Sequence, residues 1–155
     1  EKTTWLVEQA GVDVCINYKE TTDLHAALGV ACPEGIDVYF ENVGGEHLDA
    51  ALELMNQAGR IVVCGLISQY NATGPVSGPE SFFKVLEKSL RVQGFIVTEF
   101  FDQYPAFLKN MAAWIREDKI KWQETIFEGI AKAPEALMGL FHGANNGKML
   151  VKLSD

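Results

Sequence analysis

The chain has 155 residues, of which 48% are hydrophobic, and its formal net charge is −8 at pH 7. This length suits one domain with a buried core, and the acidic balance argues against partners such as nucleic acid or a membrane surface. No apolar run approaches the roughly 20 residues that cross a bilayer, and no signal-peptide pattern opens the sequence. We therefore expect a cytoplasmic protein.

The cysteine and histidine content gives no sign of a metal centre. Cys15, Cys32 and Cys64 are far apart and odd in number, and two of them lie inside apolar runs. We expect buried reduced thiols rather than a disulfide or a metal site. The three histidines pair with no cysteine or carboxylate at metal-ligand spacing, which argues against bound zinc.

The chain begins in a helical pattern and then alternates between β-rich and helical segments. Short β-rich runs predict strands at residues 12–18, 36–43, 61–67, 92–97, 124–130 and 147–153. Helical spacing predicts helices at residues 21–32, 46–57, 81–90, 106–118 and 134–143. Thr22 or Asp23 should cap the first of these helices, and Pro105 should open the fourth.

This alternation with short connections predicts an α/β fold with a parallel, doubly wound sheet. Ligands of such sheets bind outside the carboxyl ends of the strands. Three of the predicted carboxyl ends carry unusual residues, in the segments ENVGG, CGLISQYN and FIVTEF. The sequence therefore predicts a binding site where these three segments meet.

The segment ENVGG is expected to make a sharp turn against a ligand. Gly44 and Gly45 permit positive φ and let a flat ligand or a ribose approach the backbone. Asn42 offers a donor and an acceptor, suited to ribose hydroxyls or a carboxamide, although it could instead cap the turn. Glu46, at the start of the next helix, would repel a phosphate, so the pyrophosphate of a dinucleotide is not expected here.

The segment CGLISQYN supplies a glycine at the strand end and a polar rim with one aromatic ring. This composition suits a heteroaromatic ring with its sugar, and it equally suits a solvated loop tip. The sequence contains neither GxGxxG nor GxxxxGK[ST]. A doubly wound domain without its first strand and phosphate-binding turn is expected to be part of a longer protein.

In combination, INYK, GIDVYFENVGGE, GRIVVCGLISQYN, GFIV and GANNGKMLVKL resemble the zinc-independent medium-chain dehydrogenase/reductases. Within them, the chain is similar to the branch of prostaglandin reductases, leukotriene hydroxydehydrogenases and curcumin reductases. The resemblance implies NADPH-dependent reduction of the C=C bond of α,β-unsaturated ketones or aldehydes. It also implies that residues 1–123 are part of a Rossmann-like NADP-binding domain, whose first strands lie before Glu1, and that residues 124–155 return to a catalytic domain.

The resemblance also implies roles for individual residues. Lys2 and Tyr18 match contacts of the ribose 2′-phosphate, Asn42 matches a cofactor contact, and Asn145 matches an asparagine of a closing loop. In the family, one loop lies beside the nicotinamide half of the cofactor, and the residues that match it here are Cys64, Gly65, Leu66, Ile67, Ser68, Gln69 and Tyr70. Phe95, Ile96 and Val97 match a strand that faces the carboxamide. No catalytic residue is assigned, because the helix at residues 81–90 lacks the tyrosine that some relatives carry near the substrate.

Two other classes of function remain open from the sequence. One is a non-catalytic nucleotide-binding or interaction domain, and the other is an S-adenosylmethionine methyltransferase, since IDVYFENVGG imitates a strand that ends at that cofactor. We also expect a homodimer through the apolar edge strand near residues 94–97. In the strand order of such sheets, residues 12–18 and 36–43 are not neighbours, so we expect a gap between them and weak NADPH binding by these 155 residues alone.

Overall fold

The computed structural model describes residues 1–153 and divides them into two compact units. One unit consists of Glu1–Cys15 and the described part of Pro105–Asp155, and the other is Ile16–Tyr104. In the described chain the α-helices are α1 (Lys2–Glu8), α2 (Leu24–Ala31), α3 (Glu46–Leu54), α4 (Lys84–Glu87), α5 (Tyr104–Arg116) and α6 (Ala133–Phe141). The strands are β1 (Ile36–Glu41), β2 (Met55–Val63), β3 (Arg91–Gly94), β4 (Glu124–Glu128) and β5 (Lys148–Lys152).

The unit Ile16–Tyr104 is built on a three-stranded parallel sheet in the order β1-β2-β3. Helices separate the strands along the chain, and α2 begins at Asp23, whose side chain accepts a hydrogen bond from the Ala26 amide at 2.9 Å. The predictions of an α/β fold with parallel strands and of a cap at Thr22 or Asp23 are therefore confirmed.

The core of this unit lies between the sheet and α3. Leu52 from α3, Met55 and Ile61 from β2, and Leu90 before β3 pack together, and Leu52 and Ile61 are each 1% exposed. Complete burial of an aliphatic side chain of this size stabilises a fold by about 1.5–3 kcal/mol. This cluster fixes the position of the strands and thus of the loops at their carboxyl ends.

Three predicted strands differ from the structure. Residues 12–18 form no strand, because a β-rich run becomes a strand only by pairing and no described strand borders this segment. The strand predicted at residues 61–67 is β2, which begins at Met55 and ends at Val63. The helix predicted at residues 46–57 is shorter for this reason and ends at Leu54. β3 ends at Gly94, so Phe95, Ile96 and Val97 lie beyond the strand that the sequence predicts for them.

The early end of α3 has a local cause at Asn56. The side-chain amide of Asn56 donates to the Glu34 carbonyl at 3.0 Å and to the Asp37 carboxylate at 2.9 Å. These two bonds attach the start of β2 to the start of β1. The segment therefore joins the sheet, although its apolar spacing would also suit a helix.

In the other unit, β4 and β5 form a two-stranded parallel sheet, with α6 between them in the chain. The three predictions for this tail are confirmed, although its strands form a sheet separate from β1-β2-β3. Thr125 accepts from the Asn146 amide at 2.8 Å and donates to the Asn146 carbonyl at 3.0 Å, which fixes the loop before β5. No helix in residues 1–153 is long and apolar enough to cross a membrane.

Candidate functional site at the carboxyl ends of the sheet

The turn after β1 and the loop after β2 are joined by a ladder of hydrogen bonds that continues past the strands. Its donors are four amide groups and one hydroxyl group of the loop, and its acceptors are carbonyl groups of Glu41 and the turn. The bonds are Cys64 N to Glu41 O (2.9 Å), Gly65 N to Glu41 O (3.2 Å), Ile67 N to Asn42 O (3.1 Å), Ser68 N to Val43 O (2.9 Å) and Ser68 Oγ to Val43 O (2.6 Å). The two segments therefore meet at the end of the sheet, as the sequence predicted for ENVGG and CGLISQYN, and the hydrogen bonds join them into one unit.

The turn itself depends on glycine. Gly44 and Gly45 have φ values of +76° and +54°, which other residues rarely adopt. A Cβ atom on Gly44 would also lie 3.2 Å from Leu66 Cδ2 and 3.3 Å from Ser68 Oγ. The turn therefore needs glycine here for its backbone conformation and for its close contact with the loop.

A buried carboxylate holds the same turn from inside. Glu41 is 0% exposed, and its Oε1 accepts from the amide groups of Val43 at 2.5 Å and Gly44 at 2.8 Å. The other oxygen, Oε2, has no hydrogen-bond partner among the described residues. Glu41 is not among the site residues predicted from the sequence. Its position directly before Asn-Val-Gly-Gly was the available signal, because the amide groups of a sharp turn lose their strand partners and need an acceptor.

Tyr39 lies on the same side of β1 as Glu41, two residues earlier in the strand. Burial, and then the negative charge of Glu41, raise the pKa of the Tyr39 phenol above its ordinary value. The phenol is thus a neutral group at physiological pH. The interior beside the turn therefore contains one buried carboxylate and one protonated phenol.

A cleft of about 440 Å³ opens at the ends of β2 and β3. Its lining consists of Val63, Cys64, Gly65, Leu66, Tyr70, Gly94, Phe95, Ile96 and Glu99. The Leu66 amide donates to the Tyr70 hydroxyl at 3.3 Å. This mixture of aromatic, aliphatic and glycine surface with a few polar groups suits a flat heteroaromatic ligand.

Gly65, in the lining of the cleft, lies close to two polar side chains. A Cβ atom on Gly65 would lie 2.9 Å from the Tyr70 hydroxyl and 3.1 Å from Asn42 Oδ1. The absent side chain thus lets the phenol and the amide converge over the backbone. Asn42 is exposed, so its amide group is accessible to a ligand.

Most of the predicted site residues of the unit Ile16–Tyr104 lie at this end of the sheet. Ile67, Ser68 and Gln69 form a short 3-10 turn beside the cleft, and Val97 begins a second such turn after Ile96. Tyr18 packs edge-on against His47, the second residue of α3, with ring centroids 4.9 Å apart. Tyr18 is therefore next to the helix that follows the Gly44–Gly45 turn.

The remaining two predicted residues belong to the other unit. Lys2 donates from Nζ to the Gly143 carbonyl at 2.6 Å, and Asn145 donates from its amide to the Gly147 carbonyl at 2.6 Å. Lys2 is exposed and Asn145 is half-buried, and both side chains are bonded to the loop that precedes β5. Within its own unit, the structure thus brings Lys2 to the loop that contains Asn145.

The cysteines are less buried than expected, and the expectation fails most clearly for Cys64. All three cysteines are free, and Cys15 and Cys32 are half-buried, whereas Cys64 is exposed. The reason is that β2 ends at Val63, so Cys64 lies in the cleft rather than inside a covered strand.

A larger cleft, of about 540 Å³, lies beside α2 and α3. Its carboxylates are those of Asp23, Glu46, Asp49, Glu53 and Glu80. Such a surface repels a phosphate-bearing ligand, and two of these groups are already bonded to Ser81. The cleft at the ends of β2 and β3 is therefore the better candidate site for a dinucleotide.

The chain belongs to the zinc-binding dehydrogenase family, whose model matches residues 1–113. It is 44% identical to the NADP-dependent 2-alkenal reductase of Nicotiana tabacum, with alignment over 99% of this chain and 45% of that protein. It is 42% identical to the NADPH-dependent curcumin reductase of Escherichia coli (99% of this chain, 46% of that protein) and to prostaglandin reductase 1 of Bos taurus (98% and 46%). The chain therefore spans about half the length of these relatives, and the predicted resemblance to this branch is confirmed.

A solved structure agrees with this assignment. The crystal structure of CurA in complex with NADPH from Vibrio vulnificus matches with a TM-score of 0.90 and 38% identity, over 99% of this chain and 47% of that chain. The family description names zinc, but residues 1–153 contain no group of three or more His, Cys, Asp or Glu side chains placed to hold a metal ion. The described residues therefore do not fit a zinc centre, and no chemistry is assigned to one.

Proposed function

We propose that this chain is the cofactor-binding part of an NADPH-dependent oxidoreductase that reduces the C=C bond of α,β-unsaturated ketones and aldehydes. The observation that carries the proposal is the cleft at Gly65, where Tyr70 and Asn42 converge over a backbone that has no side chain. Relatives at 42–44% identity are named as an NADP-dependent 2-alkenal reductase, an NADPH-dependent curcumin reductase and a prostaglandin reductase. The cleft and these names support the same class of ligand.

The residues of the cleft fit the nicotinamide half of the cofactor. The backbone at Gly65 and Leu66 offers a flat approach to the ring, and Phe95 and Ile96 supply apolar walls. Asn42 can donate to and accept from a ribose or a carboxamide. The carboxamide side of the ring is assigned to Phe95, Ile96 and Val97, although they follow β3 instead of extending it.

When bound, NADPH supplies a hydride, and the protein positions the reactants and polarises the substrate. Reduction of an enone places negative charge on its carbonyl oxygen, which hydrogen-bond donors stabilise. Tyr70 already accepts a bond from the Leu66 amide, so its hydroxyl proton can be donated to a ligand in the cleft. Gln69 and Ser68 add polar side chains to the rim, and Ile67 and Cys64 add apolar surface and a thiol.

We assign the 2′-phosphate of NADPH to Lys2 and Tyr18 on the family resemblance. The Lys2 ammonium has three donors, of which one is bonded to the Gly143 carbonyl, so two can bind phosphate oxygens. The Tyr18 hydroxyl is on an exposed side chain and can donate to the same kind of group. Asn145 is assigned to the closing loop of the cofactor site on the same basis.

The organisation of the protein completes the proposal. Residues 1–123 are assigned to the NADP-binding domain, and residues 124–155 to a segment that returns to a catalytic domain. We also propose a cytoplasmic enzyme that forms a homodimer. β3 supports the dimer, because it is an edge strand of the described sheet and leads into the exposed apolar residues Ile96 and Val97.

Turnover by the full-length protein tests the proposal. We expect loss of the near-ultraviolet absorbance of NADPH when a medium-chain enone is added, with the saturated ketone as the product. The matched control is that saturated ketone offered as substrate, which should consume no NADPH. Consumption of NADPH with the saturated ketone would contradict the assignment of C=C reduction. A failure of both the enone and the saturated ketone to consume NADPH would contradict it as well.

A further inference from the structure

Glu41 is a buried carboxylate to which the proposed function gives no role. It follows the apolar strand β1 and is completely buried. Burial of an ionised carboxylate is costly unless hydrogen bonds compensate for the lost water. We therefore expect Glu41 to have a role that requires a carboxylate and that a neutral side chain would not fulfil.

Its hydrogen bonds show what the carboxylate does to the turn. Two successive backbone N–H groups, of Val43 and Gly44, both point at Glu41 Oε1. Successive N–H groups next to a residue with positive φ form a concave site that binds anions in many nucleotide-binding turns. Here that concave site is filled by a carboxylate of the same chain.

The contact between the Glu41 carboxylate and the Val43 amide also constrains Asn42, which lies between these two residues in the chain. The Glu41 carbonyl accepts from the Cys64 and Gly65 amides, and the Asn42 carbonyl accepts from the Ile67 amide. With Val43 N also bonded to Glu41, the backbone on both sides of Asn42 is fixed. Only its exposed side chain remains to meet a ligand, and Oδ1 lies over Gly65.

We infer that Glu41 is a positioning residue for the cofactor: its carboxylate fills the anion site of its own turn, holds Asn42 over Gly65 and keeps phosphate out of the turn. This inference rests on the proposed function, because it takes NADPH as the ligand. It explains how the turn can meet the uncharged nicotinamide–ribose half while the phosphates bind elsewhere.

Three substitutions of Glu41 in the full-length protein test this role. Glu41→Ala removes the acceptor, and we expect the Kd of NADPH to rise about tenfold or more, as for loss of a charged hydrogen-bonding group. Glu41→Asp is the matched rescue, since a shorter carboxylate can still accept from the amide groups two and three residues later, and its Kd should stay within about threefold. Glu41→Gln keeps one neutral acceptor and should lie between them.

Two readouts separate positioning from a loss of folded protein. Binding titrations monitored by NADPH fluorescence report the Kd of the folded fraction, and the KM of the enone should change less than that of NADPH. Hydrogen exchange of the peptide that contains residues 42–45 should become faster in Glu41→Ala and not in Glu41→Asp. If Glu41→Ala does not fold, the comparison between Gln and Asp carries the same test.

Equal weakening of NADPH binding by Asp and Ala would overturn the inference, and so would faster exchange in Ala with an unchanged Kd. Failure of the proposed function has a different signature. A wild-type protein that binds NADPH but does not reduce enones would remove the proposed reaction, while the ratio of Kd values between Ala and Asp would still decide the role of Glu41.

Discussion

Substitution of Gly65 by alanine should damage cofactor binding much more than it damages the fold. The backbone at Gly65 does not have the positive φ that strains other residues, so the perturbation is one methyl group. That methyl would lie 2.9 Å from the Tyr70 hydroxyl and 3.1 Å from Asn42 Oδ1. Because ordinary contacts begin near 3.4 Å, the hydroxyl must retreat by about 0.5 Å and the amide oxygen by about 0.3 Å.

The cost to stability is limited by the exposure of these groups. Tyr70 is 67% exposed, so it can move into solvent, at the cost of its bond with the Leu66 amide. A hydrogen bond of this kind contributes about 0.5–1.5 kcal/mol to the free energy of unfolding. The cost to binding is larger, because Tyr70 and Asn42 both leave the positions in which we propose that they contact the cofactor. Loss of one neutral hydrogen bond from each amounts to about 1–3 kcal/mol in total, or about 5- to 150-fold in Kd.

Isothermal calorimetry with NADPH on the full-length protein measures this loss, and urea unfolding measures stability in parallel. Gly78→Ala is the matched control, because a Cβ atom there has nothing within 4 Å. The reasoning would be refuted if Gly65→Ala bound NADPH as tightly as Gly78→Ala does. It would equally be refuted if Gly65→Ala lost several kcal/mol of stability, since the contact would then be structural.

Three further results are expected of the full-length protein. Lys2→Ala should lower the preference for NADPH over NADH, measured as the ratio of their KM values, by about one to two decades, since a charged hydrogen bond is lost. Lys119→Ala is the control and should leave this ratio unchanged. The free energy of unfolding should fall by up to about 1.4 kcal/mol per pH unit above pH 10, because the unfolded state releases the Tyr39 proton first. Tyr39→Phe should remove this part of the fall in urea unfolding curves, and an identical slope in both proteins would exclude Tyr39 as its source. Ile96→Lys should convert the proposed dimer to monomer in sedimentation velocity, and a monomeric wild-type protein would contradict the pairing through β3.

Local patterns were enough to predict most of the elements, because their apolar spacing agrees with their final environment. The segments β4, α6 and β5 are examples, since each combines a regular pattern with a clear boundary such as Pro134 or Gly147. Two errors arose where the outcome depended on partners distant in the sequence. Residues 12–18 have strand composition but no neighbouring strand, and residues 55–57 join β2 because Asn56 binds the start of β1.

The location of the candidate site could be predicted from the sequence, but the contacts that hold its turn in place could not. Glycines and polar residues after strands mark the carboxyl end of a parallel sheet, so Asn42, Gly65 and Tyr70 could be found from the sequence. Burial of Glu41 could not, since a carboxylate beside a turn usually faces solvent. Only the three-dimensional contacts show that its side chain points inward to the amide groups of Val43 and Gly44.

The ladder that joins the turn after β1 to the loop after β2 constrains how such sites can diversify. Every rung has its donor in one segment and its acceptor in the other, although more than 20 residues separate them in the chain. An insertion or deletion in either segment alone would shift the register of the hydrogen bonds that follow it. A loop taken from a relative should therefore be introduced together with the turn of that relative. The two segments share their hydrogen bonds and have to be exchanged as one unit.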